Sequence, residues 1–121
     1  RVSMAKYLAI DPEYKRWKDR YPNFPGVKKC IDLLRRSNIS GSWIDIICEE
    51  LRKHSAETAS ELIDIFKGEK DVRLQRILLD ILAEAGVSEA LPIFADHVKS
   101  TDESLRNSAI QGLKKLNLYK V

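Results

Sequence analysis

Near the C-terminal end of this 121-residue chain, Leu91, Pro92, Ile93 and Phe94 are followed by Asp102, Leu105, Arg106, Ala109, Ile110, Leu113 and Leu116. The set echoes an earlier one: Leu62, Ile63, Phe66, then Asp71, Val72, Arg73, Ile77, Ile81 and Leu82. Arg73 and Arg106 stand 33 residues apart, as do Val72 and Leu105, and Ile77 and Ile110. That spacing predicts a helical hairpin repeated every 33 residues. Such a unit cannot bury its apolar face alone, so it stacks on its neighbours, and stacks of this kind usually hold another macromolecule.

The remaining patterns agree with an all-α chain. Apolar residues recur at helical spacing along successive segments: Val27, Cys30, Ile31 and Leu34; Ile44, Ile47, Cys48 and Leu51; Ala59, Leu62, Ile63 and Phe66. A wider stripe, Leu74, Ile77, Leu78, Ile81, Leu82 and Ala85, suits a helix with neighbours on several sides. Leu91, Phe94 and Val98, then Leu105, Ala109, Leu113 and Leu116, complete the series. Ser42, Asp71, Ser88 and Asp102 are placed to cap helices, and Gly86 to end one. Asp11, Pro12 and Glu13 start a further helix, which Tyr21 to Gly26 breaks. The predicted architecture is one domain over 1–121: an N-terminal cap at 1–22 and three antiparallel hairpins at 25–53, 56–85 and 88–117, an α-solenoid.

The residues of the third hairpin, Leu91, Pro92 and Phe94 with Asp102, Leu105, Arg106, Ala109, Ile110, Leu113 and Leu116, resemble a HEAT repeat of the short bacterial type. Asp71, Val72 and Arg73 with the segment after them resemble the second half of another. The likeness is strong over 56–117, weak over 25–53 and absent before residue 22. The first hairpin has Gly41, Ser42, Trp43 and Ile44 in place of the Asp-x-Arg element, and Arg76 stands where the third hairpin has Ala109. The resemblance implies that Asp71, Arg73, Asp102 and Arg106 form a structural ladder between neighbouring hairpins. It also implies a non-catalytic interaction module, such as an immunity protein against a toxin or an assembly factor.

Charge is unevenly spread. Residues 1–54 hold 12 Lys and Arg against 7 Asp and Glu, whereas residues 55–121 hold 9 against 11. Lys15, Arg16, Lys18, Lys28, Lys29, Arg35 and Arg36, interleaved with Tyr14, Trp17 and Tyr21, have the make-up of a face that tracks a phosphate backbone. The plainer reading, in which Tyr14 and Trp17 bury against helix 25–36 and the charges solvate the cap, is preferred.

In an α-solenoid the second helix of each hairpin lines one concave face. Here its outward positions are Asp45, Glu49 and Arg52; Arg76, Asp80 and Glu84; and Asn107, Gln111 and Lys114, with Trp43 as an aromatic anchor at the rim. These ten residues are the expected contacts for a charged protein partner. The acidic stretch 42–71 suits a basic toxin. The alternative is a nucleic-acid binder related to the HEAT-like DNA-alkylation-repair glycosylases, with Trp43, Asp45 and Arg76 or Arg73 imitating their site.

No phosphate loop, His-Glu-x-x-His or nucleophile elbow occurs, so no catalytic, metal or cofactor residue is assigned. Cys30 and Cys48 lack metal-ligand spacing and read as reduced core thiols of a cytoplasmic protein. No apolar run approaches membrane-spanning length. His54 is expected at a helix end and His97 on the surface of its helix, neither beside a carboxylate and nucleophile.

Overall fold

The computed structural model describes residues 12–36 and 41–118. Asp11, expected as a cap, and much of the expected loop at 37–41 lie outside them. The described residues form seven α-helices and no strand. These are α1 (Pro12–Arg20), α2 (Val27–Leu34), α3 (Gly41–Lys53), α4 (Ser55–Gly68), α5 (Val72–Ala85), α6 (Leu91–His97) and α7 (Glu103–Lys115). Among the described residues no helix is long and apolar enough to cross a membrane. The chain divides into two compact units, Arg1–Glu50 and Leu51–Val121, with the boundary inside α3.

In the first unit Val27, Cys30, Ile31, Leu33 and Leu34 of α2 are buried, as are Trp43, Ile46, Ile47 and Cys48 of α3. The stripe of α3 is therefore turned from the expected one: Ile44 is only half-buried, while Trp43 and Ile46 point inward. Helix α3 begins at Gly41, which puts Ser42 inside its first turn rather than at the cap. Helix α2 starts two residues after Pro25, because Gly26 at φ 105 bends the chain sharply into it.

The second unit carries a regular internal register. Asp71 caps α5 by accepting from the Arg73 amide at 2.9 Å, and Asp102 caps α7 by accepting from the Leu105 amide at 3.0 Å. These caps stand 31 residues apart, and so do Gly86 and Asn117, whose left-handed φ values of 64 and 59 end the same two helices. Burial follows the same step. Leu74 and Leu105, Leu78 and Ala109, Ile81 and Gly112, and Leu82 and Leu113 are all buried pairs. So are Ala59 and Ala90, Leu62 and Ile93, and Ile63 and Phe94 of the preceding helices.

The expected step of 33 residues is thus corrected to 31. Under a 33-residue step Val72, 43% exposed, would match Leu105, 5% exposed. The apolar letters matched there, but the caps and the buried face do not. The corrected register also pairs Arg76 with Asn107 rather than Ala109, and Arg106 with Gln75 rather than Arg73. Side-chain bonds recur at the same step. Gln75 Nε2 donates to the Glu69 carbonyl at 2.6 Å and Arg106 Nη1 to the Ser100 carbonyl at 3.0 Å. The Asp71 amide donates to the Glu69 carboxylate and the Asp102 amide to the Ser100 hydroxyl, each at 3.1 Å.

Helix α4 packs on α5, α6 on α7, and α5 lies along α7. His54 alone separates α3 from α4; its carbonyl accepts from Thr58 Oγ1 at 2.7 Å, and Ser55 Oγ donates to the Arg52 carbonyl at 2.8 Å. Ser88 opens a single 3-10 turn, Ser88–Ala90, and not an α-helix; its hydroxyl meets the Glu89 carboxylate instead of capping. His97 is no free surface residue. Its ring stands edge-on to Phe66, 31 residues earlier, with centroids 5.3 Å apart, and its Nδ1 lies 2.9 Å from the Ile93 carbonyl oxygen.

Gly112 lets α7 approach α6 closely, since a Cβ there would lie 2.6 Å from the Phe94 ring. Replacing Gly by Ala inside a helix ordinarily stabilises by about 0.5–1 kcal/mol. Overpacking against a fully buried ring costs about 1–3 kcal/mol. Gly112→Ala is therefore expected to lower stability in urea denaturation, whereas Gly68→Ala, with open space around its Cβ, is expected to be neutral or stabilising.

Candidate functional site

The residues expected on the partner-binding face fall into three groups. The first is unavailable. Trp43 is only 3% exposed, with its ring edge-on to Trp17 at 5.8 Å, so it serves as a core residue of the first unit and not as a rim anchor. A site imitating a glycosylase would lose the same indole to the core.

The second group is tied up in ion pairs. Arg52 reaches Glu84 through Nε at 2.7 Å and Asp80 through Nη2 at 3.4 Å, which fastens the end of α3 to α5. Arg76 grips Asp102 through both Nε and Nη2, at 3.2 and 2.5 Å to the same carboxylate oxygen. This corrects the expected ladder. Asp102 does bond across hairpins, but to Arg76, while Arg106 donates to the Ser100 carbonyl and Arg73 approaches Asp71 at 4.0 Å. The Arg76 hydrogen bond, helped by the Leu105 amide, holds the Asp102 carboxyl below the usual carboxylate range.

The third group lies at the surface. Asn107, Gln111 and Lys114 are exposed on α7 at helical spacing, so they form one stripe. Beside it a shallow depression of about 490 Å³ is lined by Arg76, Asp102, Glu103, Ser104, Asn107 and Ser108. In the first unit, Asp45 is exposed and Glu49 half-buried.

A second concavity, of about 570 Å³, lies wholly within the first unit. Arg16, Trp17, Arg20 and Tyr21 of α1 and the turn after it form one wall; Lys29, Asp32, Leu33 and Arg36 from α2 and its end, with Trp43, form the rest. Tyr21 sits between cations: the Arg20 guanidinium and the Lys29 ammonium lie 5.9 and 5.8 Å from its ring centre. Trp17 stands beside it at 5.8 Å, tilted by 57°. Trp17 is partly buried, its other ring neighbour being Trp43.

Of the basic face read from sequence, Arg16, Lys29 and Arg36 reach this groove, while Lys18 turns to Glu50 at 3.8 Å. Lys15, Lys28 and Arg35 do not line it, and the Tyr14 side chain lies outside the described residues. Arg20 was missed, although its place four residues after Arg16 puts both on one side of α1.

Little else offers chemistry. Among the described residues no cluster of three or more His, Cys, Asp or Glu could hold a metal ion. Nδ1 of His54 meets the Glu57 carboxylate at 2.7 Å, one turn further along the chain. Cys30 and Cys48 are buried free thiols, and burial pushes the Cys30 thiol up to about 12. No protein-family model matches the chain, nor does any curated protein or solved structure.

Two outcomes follow. A depressed carboxylate pKa contributes stability that is complete above the unfolded Asp value of about 4 and is lost as pH falls through the folded value. The stability difference between the wild type and Arg76→Ala should therefore be largest near neutrality and vanish in acid, measured by urea unfolding across pH. Cys30, almost wholly protonated at pH 8, should resist maleimide until the protein is unfolded.

Proposed function

We propose that the chain is a non-catalytic HEAT-type interaction module, three stacked hairpins with an N-terminal cap, which binds a protein partner through the outer faces of its second helices. The 31-residue register of caps, buried positions and side-chain bonds supports the repeat. The contact of α5 along α7, two second helices of neighbouring hairpins, supports the stacking. The same step recurs along α3 as a burial pattern, Trp43, Ile47, Cys48 and Leu51 matching Leu74, Leu78, Leu79 and Leu82.

The observation that carries the binding face is the exposed stripe Asn107, Gln111 and Lys114 beside the polar depression at Arg76 and Asp102. Amides, hydroxyls and ions of both signs line it, which suits the polar rim of a protein interface. Ion pairing of Arg52, Asp80, Glu84 and Arg76 makes that surface stiff before a partner arrives, so little side-chain entropy remains to be lost on binding. A toxin covered by an immunity protein, or a client of a cytoplasmic assembly factor, fits this mode. The glycosylase-like alternative gains no support from a buried Trp43 and an Arg76 already engaged by Asp102.

A photo-crosslinking residue at position 111 should trap a discrete protein in cells, and the adduct should disappear when Asn107→Ala and Lys114→Glu are added. The same residue at Glu61, exposed on first helix α4, should trap nothing specific. Equal adducts at both positions, or an adduct at 61 alone, would sink the assignment of the face.

A further inference from the structure

We propose that the groove between α1 and α2 binds single-stranded nucleic acid, with Arg16, Arg20, Lys29 and Arg36 on the phosphates and a base against Trp17. Four exposed cations converge on one hollow that holds a single carboxylate, Asp32. Arg16, Arg20 and Lys29 form no ion pair with a described acid, unlike Lys18, which turns to Glu50. Like charges gathered this way repel one another, and an incoming polyanion relieves that repulsion while releasing its own counterions.

The aromatic side chains set the class of anion. Tyr21 is flanked by Arg20 and Lys29, and all three line the hollow. Trp17, partly exposed and with its ring at 57° to that of Tyr21, lines the groove wall, where a base can stack. An acidic peptide would satisfy the cations and leave that surface unused. Three of the four cations are arginines, whose planar groups suit phosphate and also stack on bases.

Size and spacing argue further. Arg16 and Arg20 are one turn apart on α1, about 6 Å along the axis, comparable with successive phosphates of an extended strand. A concavity of about 570 Å³ takes one or two splayed nucleotides. A duplex keeps its bases stacked inside and would meet only the rim. This site is separate from the α7 stripe, so each can be disabled without the other.

The test is fluorescence anisotropy of the full chain with labelled dodecamers: oligouridine, oligothymidine, a duplex, and poly-glutamate. The single strands should bind, with log K falling against log salt at about −0.7 per phosphate contacted, hence about −2 to −3 for three or four contacts. Arg16→Glu with Arg20→Glu should weaken binding at least tenfold, while Lys114→Glu changes nothing. Trp17→Leu should weaken it about five- to hundredfold at an unchanged salt slope. Because Trp17 also meets Trp43, Lys29→Glu serves as the variant that leaves ring packing intact, with folding checked by circular dichroism. Poly-glutamate binding as tightly as the oligonucleotides would overturn the proposal in favour of an acidic protein. Duplex binding as tight as single-strand binding, or no single-strand binding at 50 mM salt, would also overturn it.

Discussion

One carboxylate, Asp102, both starts α7 and fastens it to α5. Its oxygen accepts the Leu105 amide, one of the unpaired donors of the first turn, and the same group holds the Arg76 guanidinium. Its own amide is anchored by the Ser100 hydroxyl. Helix start, helix orientation and the join between neighbouring hairpins therefore meet at a single side chain. Surface ion pairs are individually weak. This one is two-pronged and combined with a cap, so its geometry is fixed from three directions.

Around that junction the apolar contacts are close and specific. Phe94 is fully buried against Gly112, a position where any side chain would collide with the ring. Phe66 of α4 and His97 of α6 meet edge to face. The end of α3 is drawn in by Arg52, which pairs with two acids one turn apart on α5. Side chains that sequence reading would set aside for a partner are thus part of how the protein holds itself.

Helix positions were readable because caps, apolar spacing and turn residues agree: Asp71, Asp102 and Gly86 each stand at the predicted boundary. The repeat step was misread because Arg73 and Arg106 share a letter without sharing a place. What recurs is a donor to the carbonyl two residues before the cap, supplied once by Gln75 and once by Arg106. On α3 a single-face pattern favoured Ile44, yet the bulk of Trp43 and Ile46 won the interior. Half of the groove was visible as charge interleaved with aromatics. Which cations converge depends on the angle between α1 and α2, and no local pattern encodes that angle.

The left-handed endings at Gly86 and Asn117 bear on how such a chain changes over time. Glycine takes that conformation freely and asparagine tolerates it, so the same backbone instruction is written in two different letters. Glu69 and Ser100, Gln75 and Arg106 show the same exchange of one chemistry for another at a recurring bond. A segment held by such interchangeable bonds can change its letters at these positions while its backbone keeps the same course. The register of the second unit lies in its geometry rather than its spelling.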